Sequence, residues 1–368
     1  MTDFKIFTRA RKRKFINEFL QILNTDVKQE KTPKSNAAKI VRTPGLARKR
    51  TRQTEEGVHI TVLERVDVNA LKFMVANVEL LVKEERTKFL RYAAALLESE
   101  GAHQVTYQLL DYGYGRLYPD TTCLQGFSRP LRSTLVRDLM LDIDGSNMHP
   151  AVLMGIANEN GWPCVALRHY LANREQILQS IPLERKLAKQ LMLMQMYGGL
   201  VRNFIKDQLE KRTIVGTLDE WLPRIPHFVH QFGSEVRQMA ERVPHVYPEV
   251  CEAAAEGAEK RTSNKQARAL SILVQTREIE AVMAAIEFMQ LRGWVVGVLM
   301  HDGFMVYKRD DEQVFINKLL LNGIKQTVKA RCNLEIDFEV KEFEEPYSAS
   351  IGGGGGGAEN SSSLQHAK

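Results

Sequence analysis

Cysteine is scarce and scattered: the 368 residues hold four, Cys123, Cys164, Cys251 and Cys332, with no C-x-x-C pair among them. That spacing excludes a zinc ribbon or a disulfide framework and fits a reducing compartment. No apolar run approaches the roughly 20 residues that a bilayer demands, and the N-terminus lacks the apolar core of a secretory signal. An intracellular chain that touches no membrane is expected. Internal repeats are missing too, and low-complexity sequence is confined to the two ends. A hydrophobic content of 44% excludes a fibrous or wholly disordered chain, and the length suffices for one large domain or two ordinary ones.

Acidic residues are few at the start of the chain. Residues 1–53 hold 15 Lys plus Arg against 4 Asp plus Glu, a charge of +11 in a chain whose net charge is +6, so the remainder carries −5. The basic pI therefore reports an arm and not the body. RARKRK from Arg9 to Lys14 and ARKRTR from Ala47 to Arg52 suit a phosphate backbone or a nuclear-import receptor, or simply solvate a tail. Residues 1–57 read as a disordered basic arm and linker, and 347–368 as a disordered Gly/Ser-rich tail.

Between these ends, apolar spacing predicts a helix over 68–97, and a short apolar run at 139–143 leads into Asp144. Further helices are expected at 181–196, at 234–240 with Ser234 as N-cap, and at 278–291, stopping at Gly293. The β-rich runs 294–300 and 304–307 flank His301, Asp302 and Gly303, which reads as a hairpin with an acid at its turn. A helix over 311–330 and an alternating strand over 334–343 complete the expected elements.

Two carboxylates carried on adjoining strand ends repel, and a divalent cation relieves the repulsion. Mg²⁺ is the expected partner of Asp144 and Asp302, with Mn²⁺ as a substitute. Taken alone, H-D-G is an ordinary turn. Asp142 is a second acid on the same run, or a carboxylate that caps a neighbouring backbone group. Arg185, Lys189, Leu193 and Tyr197 recur every four residues on one helix face that ends at Gly198-Gly199; such a face clamps a triphosphate, or it is a solvated charged stripe. Leu187, Leu191 and Met194 lie opposite. Glu278 and Glu280 face different sides of one helix, so at most one of them approaches such a site.

In order along the chain, these segments resemble those of the family A polymerases, which comprise DNA polymerase I-type enzymes and single-subunit RNA polymerases. D-G-S-N-M-H-P-A-V-L from Asp144 is similar to motif A, R-x3-K-x7-Y-G from Arg185 to motif B, and His301-Asp302 to motif C. Gly115-Arg116-Leu117 with Leu124-Gln125 and Arg132 resembles the G-R-L…L-Q…R segment ahead of motif A, and Gln275 the family's template- and primer-side Gln.

The resemblance implies an α+β fold: a right-hand polymerase palm with an antiparallel sheet, a helical fingers insertion and a reduced helical thumb. The thumb would lie at 58–110, palm at 111–160 and 271–346, and fingers at 161–270. It implies metal binding by Asp144, Asp302 and the Gly145 backbone, and nucleotide binding by Arg185, Lys189, Tyr197 and His149, with Lys189 a proton donor to pyrophosphate. Primer-template contacts would come from Arg116, Gln125, Arg132, Gln275 and His301. Partners would be primer-template nucleic acid, nucleoside triphosphates and replication-complex proteins.

This chain departs from the pattern at His149, where the DNA enzymes carry Glu; at Leu193, where they carry Phe or Tyr; and at Gly303, where motif C continues with Glu. DNA synthesis without a proofreading domain is the expectation from the G-R-L…L-Q spacing and the chain length. An RNA polymerase or primase of the same fold, and an inactive nucleic-acid-binding relic, are the alternatives.

Overall fold

A computed structural model describes residues 59–109, 113–256, 264–309 and 316–348. The expectations for the basic arm at 1–57 and for most of the tail fall outside the described residues. The first described element, β1 (His59–Arg65), buries Ile60, Val62 and Glu64 with a period of two. A glutamate on a buried face needs donors, and Glu64 has them in the Tyr92 hydroxyl at 2.6 Å and the Leu124 amide at 3.0 Å.

Helices α1 (Val68–Ala76) and α2 (Lys83–Glu98) follow, with Asp67 capping the first. The single helix expected over 68–97 is broken at Asn77, whose backbone leaves the helical region while its side-chain amide donates to the Phe73 carbonyl. Local side-chain bonds of this kind compete with helix propagation. Strand β2 (Ala102–Gln108) then pairs antiparallel with β1, and β3 (Tyr118–Pro119) pairs with β2. The region 58–110, expected as helical, thus contains two strands among its described residues, because Ile60/Val62 and Val105/Tyr107 alternate as strand residues do.

After α3 (Arg129–Val136), strand β4 (Met140–Ser146) leads through Asn147, in the left-handed conformation, into α4 (Met148–Glu159). A run of helices comes next: α5 (Val165–Ala172), α6 (Arg174–Ser180), α7 (Arg185–Met196), α8 (Val201–Glu210), α9 (Leu218–Trp221), α10 (His227–Val246), α11 (Pro248–Glu256) and α12 (Lys265–Gln290). Ser234 lies inside α10 and caps nothing, since apolar residues at Val229, Phe232, Val236, Met239 and Val243 carry that helix past both expected ends. Helix α12 starts at Lys265 under an Asn264 cap, well before 278, so Gln275 sits mid-helix. Burial on nearly every side of α12 hides its period from the sequence.

The chain closes with β5 (Val296–Leu299), β6 (Gly303–Tyr307), α13 (Lys318–Cys332) and β7 (Asp337–Lys341). Of the helix expected over 311–330, residues 311–315 lie outside the described part, and Asn317 caps the described start. The second sheet is antiparallel throughout, in the order β5-β6-β4-β7. The architecture is therefore mixed α+β, with the helical run inserted between two strands of one sheet. Apolar residues cover both sheet faces. Ile143, Phe304, Val306 and Phe338 join the large core with α4 and α12, while Met140, Val298 and Met305 join a smaller one with α1, α2 and α3.

Candidate functional site

Antiparallel pairing sets Asp144 opposite Gly303, so Asp302 arrives beside Asp144. The Gly145 amide donates to the Asp302 carbonyl at 2.8 Å and closes the hairpin turn onto β4. A Cβ on Gly303 would overlap the Ile143 carbonyl oxygen, and one on Gly145 would lie 3.1 Å from the Asp302 carbonyl oxygen. Glycine at both positions lets the two acid-bearing segments touch. Burial and the neighbouring Asp302 charge push the Asp144 carboxyl up, and Lys341 Nζ, 2.7 Å from its Oδ2, opposes them. Asp142 is pushed up to about 6 by burial and by Asp144, with Lys341 and Arg132 acting against that. It is thus a third acid in the same field.

Among the described residues, no group of three Asp, Glu, His or Cys side chains converges as a metal cage. Two carboxylates are nonetheless the usual protein contribution to a Mg²⁺ site completed by water and substrate phosphates. An ammonium already sits against one of them as a stand-in cation. The donor set fits Mg²⁺ on these grounds.

Helix α7 presents Arg185, Lys189 and Leu193 outward, while Leu187 and Leu191 are buried and Met194 packs on the core. Its end is a Schellman motif: the Gly198 amide donates to Gln195 O, the Gly199 amide to Met194 O, and Gly198 takes φ +75°. The turn leaves Tyr197 as the capping residue. Arg185 is bound through Nε and Nη2 to the Glu175 carboxylate at 3.0 and 2.9 Å, an exposed pair that exchanges readily for another anion. Burial and the charges of Arg174, Lys341, Arg129 and Arg185 lower the Lys189 pKa.

Beside these groups lies a saturated cluster. Gly115, at φ +92°, donates its amide to Thr276 Oγ1 at 2.8 Å and docks the G-R-L turn onto α12. Arg116 then reaches Glu278 through Nε at 2.7 Å and Nη2 at 3.2 Å. Glu278 Oε1 also meets His149 Nε2 at 2.8 Å, and the Tyr197 hydroxyl meets His149 Nδ1 at 2.8 Å. An ionised carboxylate only accepts, so in the neutral ring the proton sits on Nε2 and the tyrosine donates to Nδ1. Burial would raise the Glu278 pKa, but the bonds from His149 and Arg116 hold it below the usual range. Tyr197 is pushed well up by burial and by the Glu278 charge, and so stays a donor.

The remaining expected residues divide. Gln125 Nε2 donates to the Leu299 carbonyl at 3.0 Å, and Gln275 Nε2 to Ser271 Oγ at 3.2 Å. Arg132 donates to the Phe127 carbonyl; burial lowers its pKa, while Asp142 and Asp302 act the other way. It faces the acids. His301 stacks edge-on against Tyr118 at 6.4 Å, and its buried Nδ1 has no hydrogen-bond partner among the described residues. Lys341 went unnoticed in the sequence because an alternating strand gives a lysine no distinguishing mark. Glu278 had a signal, since it follows Gln275 by one helical turn.

No family model matches the sequence. A curated relative, "Putative helicase V13" of the Sputnik virophage, is 24% identical over 229 residues, which are 60% of this chain and 28% of that protein. The chain thus spans less than a third of the relative it matches. A solved structure, the POL domain of Pol1 from M. smegmatis in complex with DNA primer-template and dNTP, aligns with a TM-score of 0.48 and 13% identity, over 89% of this chain and 63% of that one.

Proposed function

We propose that this chain is a template-directed DNA polymerase that extends a primer 3′-end. The observation that carries the reading is the meeting of the Asp144 and Asp302 segments where β4 joins the hairpin turn. In this reading the four-stranded sheet is the palm, the helical run from α5 to α11 the fingers, and the described part of 58–110 a reduced thumb. Asp144 and Asp302, with the Gly145 carbonyl as a further oxygen, would hold Mg²⁺. When bound, a pair of such ions supplies Lewis acidity to the primer hydroxyl and to the departing phosphates.

The chain's own residues supply the rest. Arg185 exchanges its exposed Glu175 partner for the triphosphate. Lys189, whose lowered pKa makes it the stronger acid, gives its proton to pyrophosphate. Tyr197 and His149, locked together, wall the nucleotide sugar, and a wall of fixed position discriminates between deoxyribose and ribose. Arg116, Gln125, Arg132, Gln275 and His301 lie around the primer-template path, with His301 Nδ1 a buried hydrogen-bonding atom awaiting a partner. Arg116 is held by Glu278, which places its guanidinium before any nucleic acid arrives. Primer-template nucleic acid and nucleoside triphosphates are the partners.

The helicase name belongs to a protein of which this chain matches 28%. A P-loop motor needs G-x-x-x-x-G-K-[ST], and this sequence contains no such segment.

Extension of a labelled primer on a DNA template, with deoxy- and ribonucleotides in parallel, tests the proposal. Asp144→Asn and Asp302→Asn should each cost at least about 1,000-fold, or about 4 kcal/mol of barrier. Primer-template binding with no addition of either nucleotide would replace the polymerase reading by the binding-only one.

A further inference from the structure

Lys341 belongs to none of the polymerase-like segments, yet it makes the closest charged contact to Asp144. Its Nζ lies 2.7 Å from Asp144 Oδ2, with the two side chains 30% and 16% exposed. The strand register makes the choice of partner informative. Across the β4-β7 pair, Lys341 stands opposite Asp142, and Glu339 stands opposite Asp144. Residues directly opposed or two apart share a sheet face, so the lysine has three carboxylates within one face. Asp142 is straight across, Glu339 is two residues away on its own strand, and Asp144 lies on the diagonal. The ammonium takes the diagonal. Asp144 differs from the other two in having the Asp302 segment bonded alongside it, through the Gly145 amide and the Asp302 carbonyl. A mobile cation on a flexible stem settles where negative charge is densest.

We propose that the Lys341 ammonium is a resident counter-ion of the acid pair, holding on Asp144 the place that a divalent cation takes in the working enzyme, and that metal entry requires this ion pair to open. The inference rests on the proposed function, because it takes Asp144 and Asp302 as the metal-binding acids. It goes beyond that reading by assigning a residue outside the motifs to metal affinity. The exchange is favourable because two charges replace one, and because the lysine's four-carbon stem lets the head swing to solvent at little cost. Before metal arrives, the same contact relieves the repulsion between the acids, so the hairpin closes without an ion.

Binding of Mn²⁺ alone, followed by the loss of the free-ion electron paramagnetic resonance signal, tests the exchange without substrate or turnover. Lys341→Met keeps the apolar stem and removes the charge, and its folded state is checked by circular dichroism. Its Mn²⁺ dissociation constant should fall about tenfold below that of the intact chain, with Lys341→Arg close to the intact chain. Asp144→Asn should weaken binding whether it is made in the intact chain or together with Lys341→Met, and should remove the difference between those two backgrounds. An unchanged or weaker affinity in Lys341→Met, with Asp144→Asn still weakening binding, would overturn the exchange and leave the metal site standing. Mn²⁺ binding indifferent to both Asp144→Asn and Asp302→Asn would instead remove the metal-binding acids, and the exchange with them.

Discussion

Two carboxylate centres lie near each other in this molecule and are built on opposite electrostatic plans. The Glu278 carboxylate is fully buried and saturated, with Arg116 on both of its oxygens and His149 on one. Asp142 and Asp144 on the inner strand β4, with Asp302 in the turn beside it, have among the described residues one lysine bonded to Asp144. The first centre keeps its charge because its donors outweigh burial, and the second is left with negative charge in excess. A saturated centre positions neighbours, whereas an unbalanced one recruits a cation. On that difference the proposed function gives Glu278 the holding of Arg116 and His149, and Asp144 with Asp302 the chemistry.

Replacement of Glu278 should break the comparison most visibly. Glu278→Ala leaves a guanidinium and an imidazole facing each other without the carboxylate, a loss of about 3–5 kcal/mol in urea unfolding. Asp302→Asn should do the reverse, abolishing extension while the unfolding midpoint holds or rises, because it removes a like charge beside Asp144. Equal destabilisation by the two substitutions would mean that the centres do not differ as described.

Acid sharpens the same contrast. A carboxyl whose folded pKa is depressed contributes stability that is present above its unfolded pKa and is lost as pH falls through the folded value. Glu278 should therefore give the intact chain an acid limb below about pH 4.5 that Glu278→Gln lacks, read from urea midpoints across pH 3–6. A smaller effect is expected from Tyr197→Phe, which removes the donor to His149 Nδ1. It should cost about 1 kcal/mol of stability and should narrow the preference for deoxy- over ribonucleotides in extension assays. Smallest in stability is Arg185→Ala, whose exposed pair with Glu175 is worth under about 1 kcal/mol; its effect should appear as a raised nucleotide KM.

Legibility in the sequence followed local pattern. The hairpin was readable from β-rich runs around H-D-G, and α7 from a four-residue recurrence that ends in two glycines. Arg185 and Lys189 are exposed on that helix, while Tyr197 caps its end and turns to His149. The strands β1 and β2 were overlooked inside an expected helical stretch, because their pairing joins residues far apart in the chain, as His59 with Gln108. The start of α12 was misplaced because a helix buried on nearly every side shows no amphipathic period. The Gln125 amide donates to the Leu299 carbonyl, 174 positions along the chain. Hydrogen-bond partners of that kind depend on which segments meet, and a linear reading does not contain them.

By itself, the sequence determined the order of the acid-bearing segments, the exposed cations of α7 and the glycine end of that helix at Gly198. Each follows from spacing or backbone freedom within a few residues. Only the tertiary structure decided which charges are neutralised. Glu278 meets Arg116 and His149 because α12 packs beside α4 and receives the G-R-L turn, and Lys341 meets Asp144 because β7 lies next to β4. Coulomb energy and desolvation depend on distance and burial, and folding fixes both across spans of sequence that no local pattern bridges.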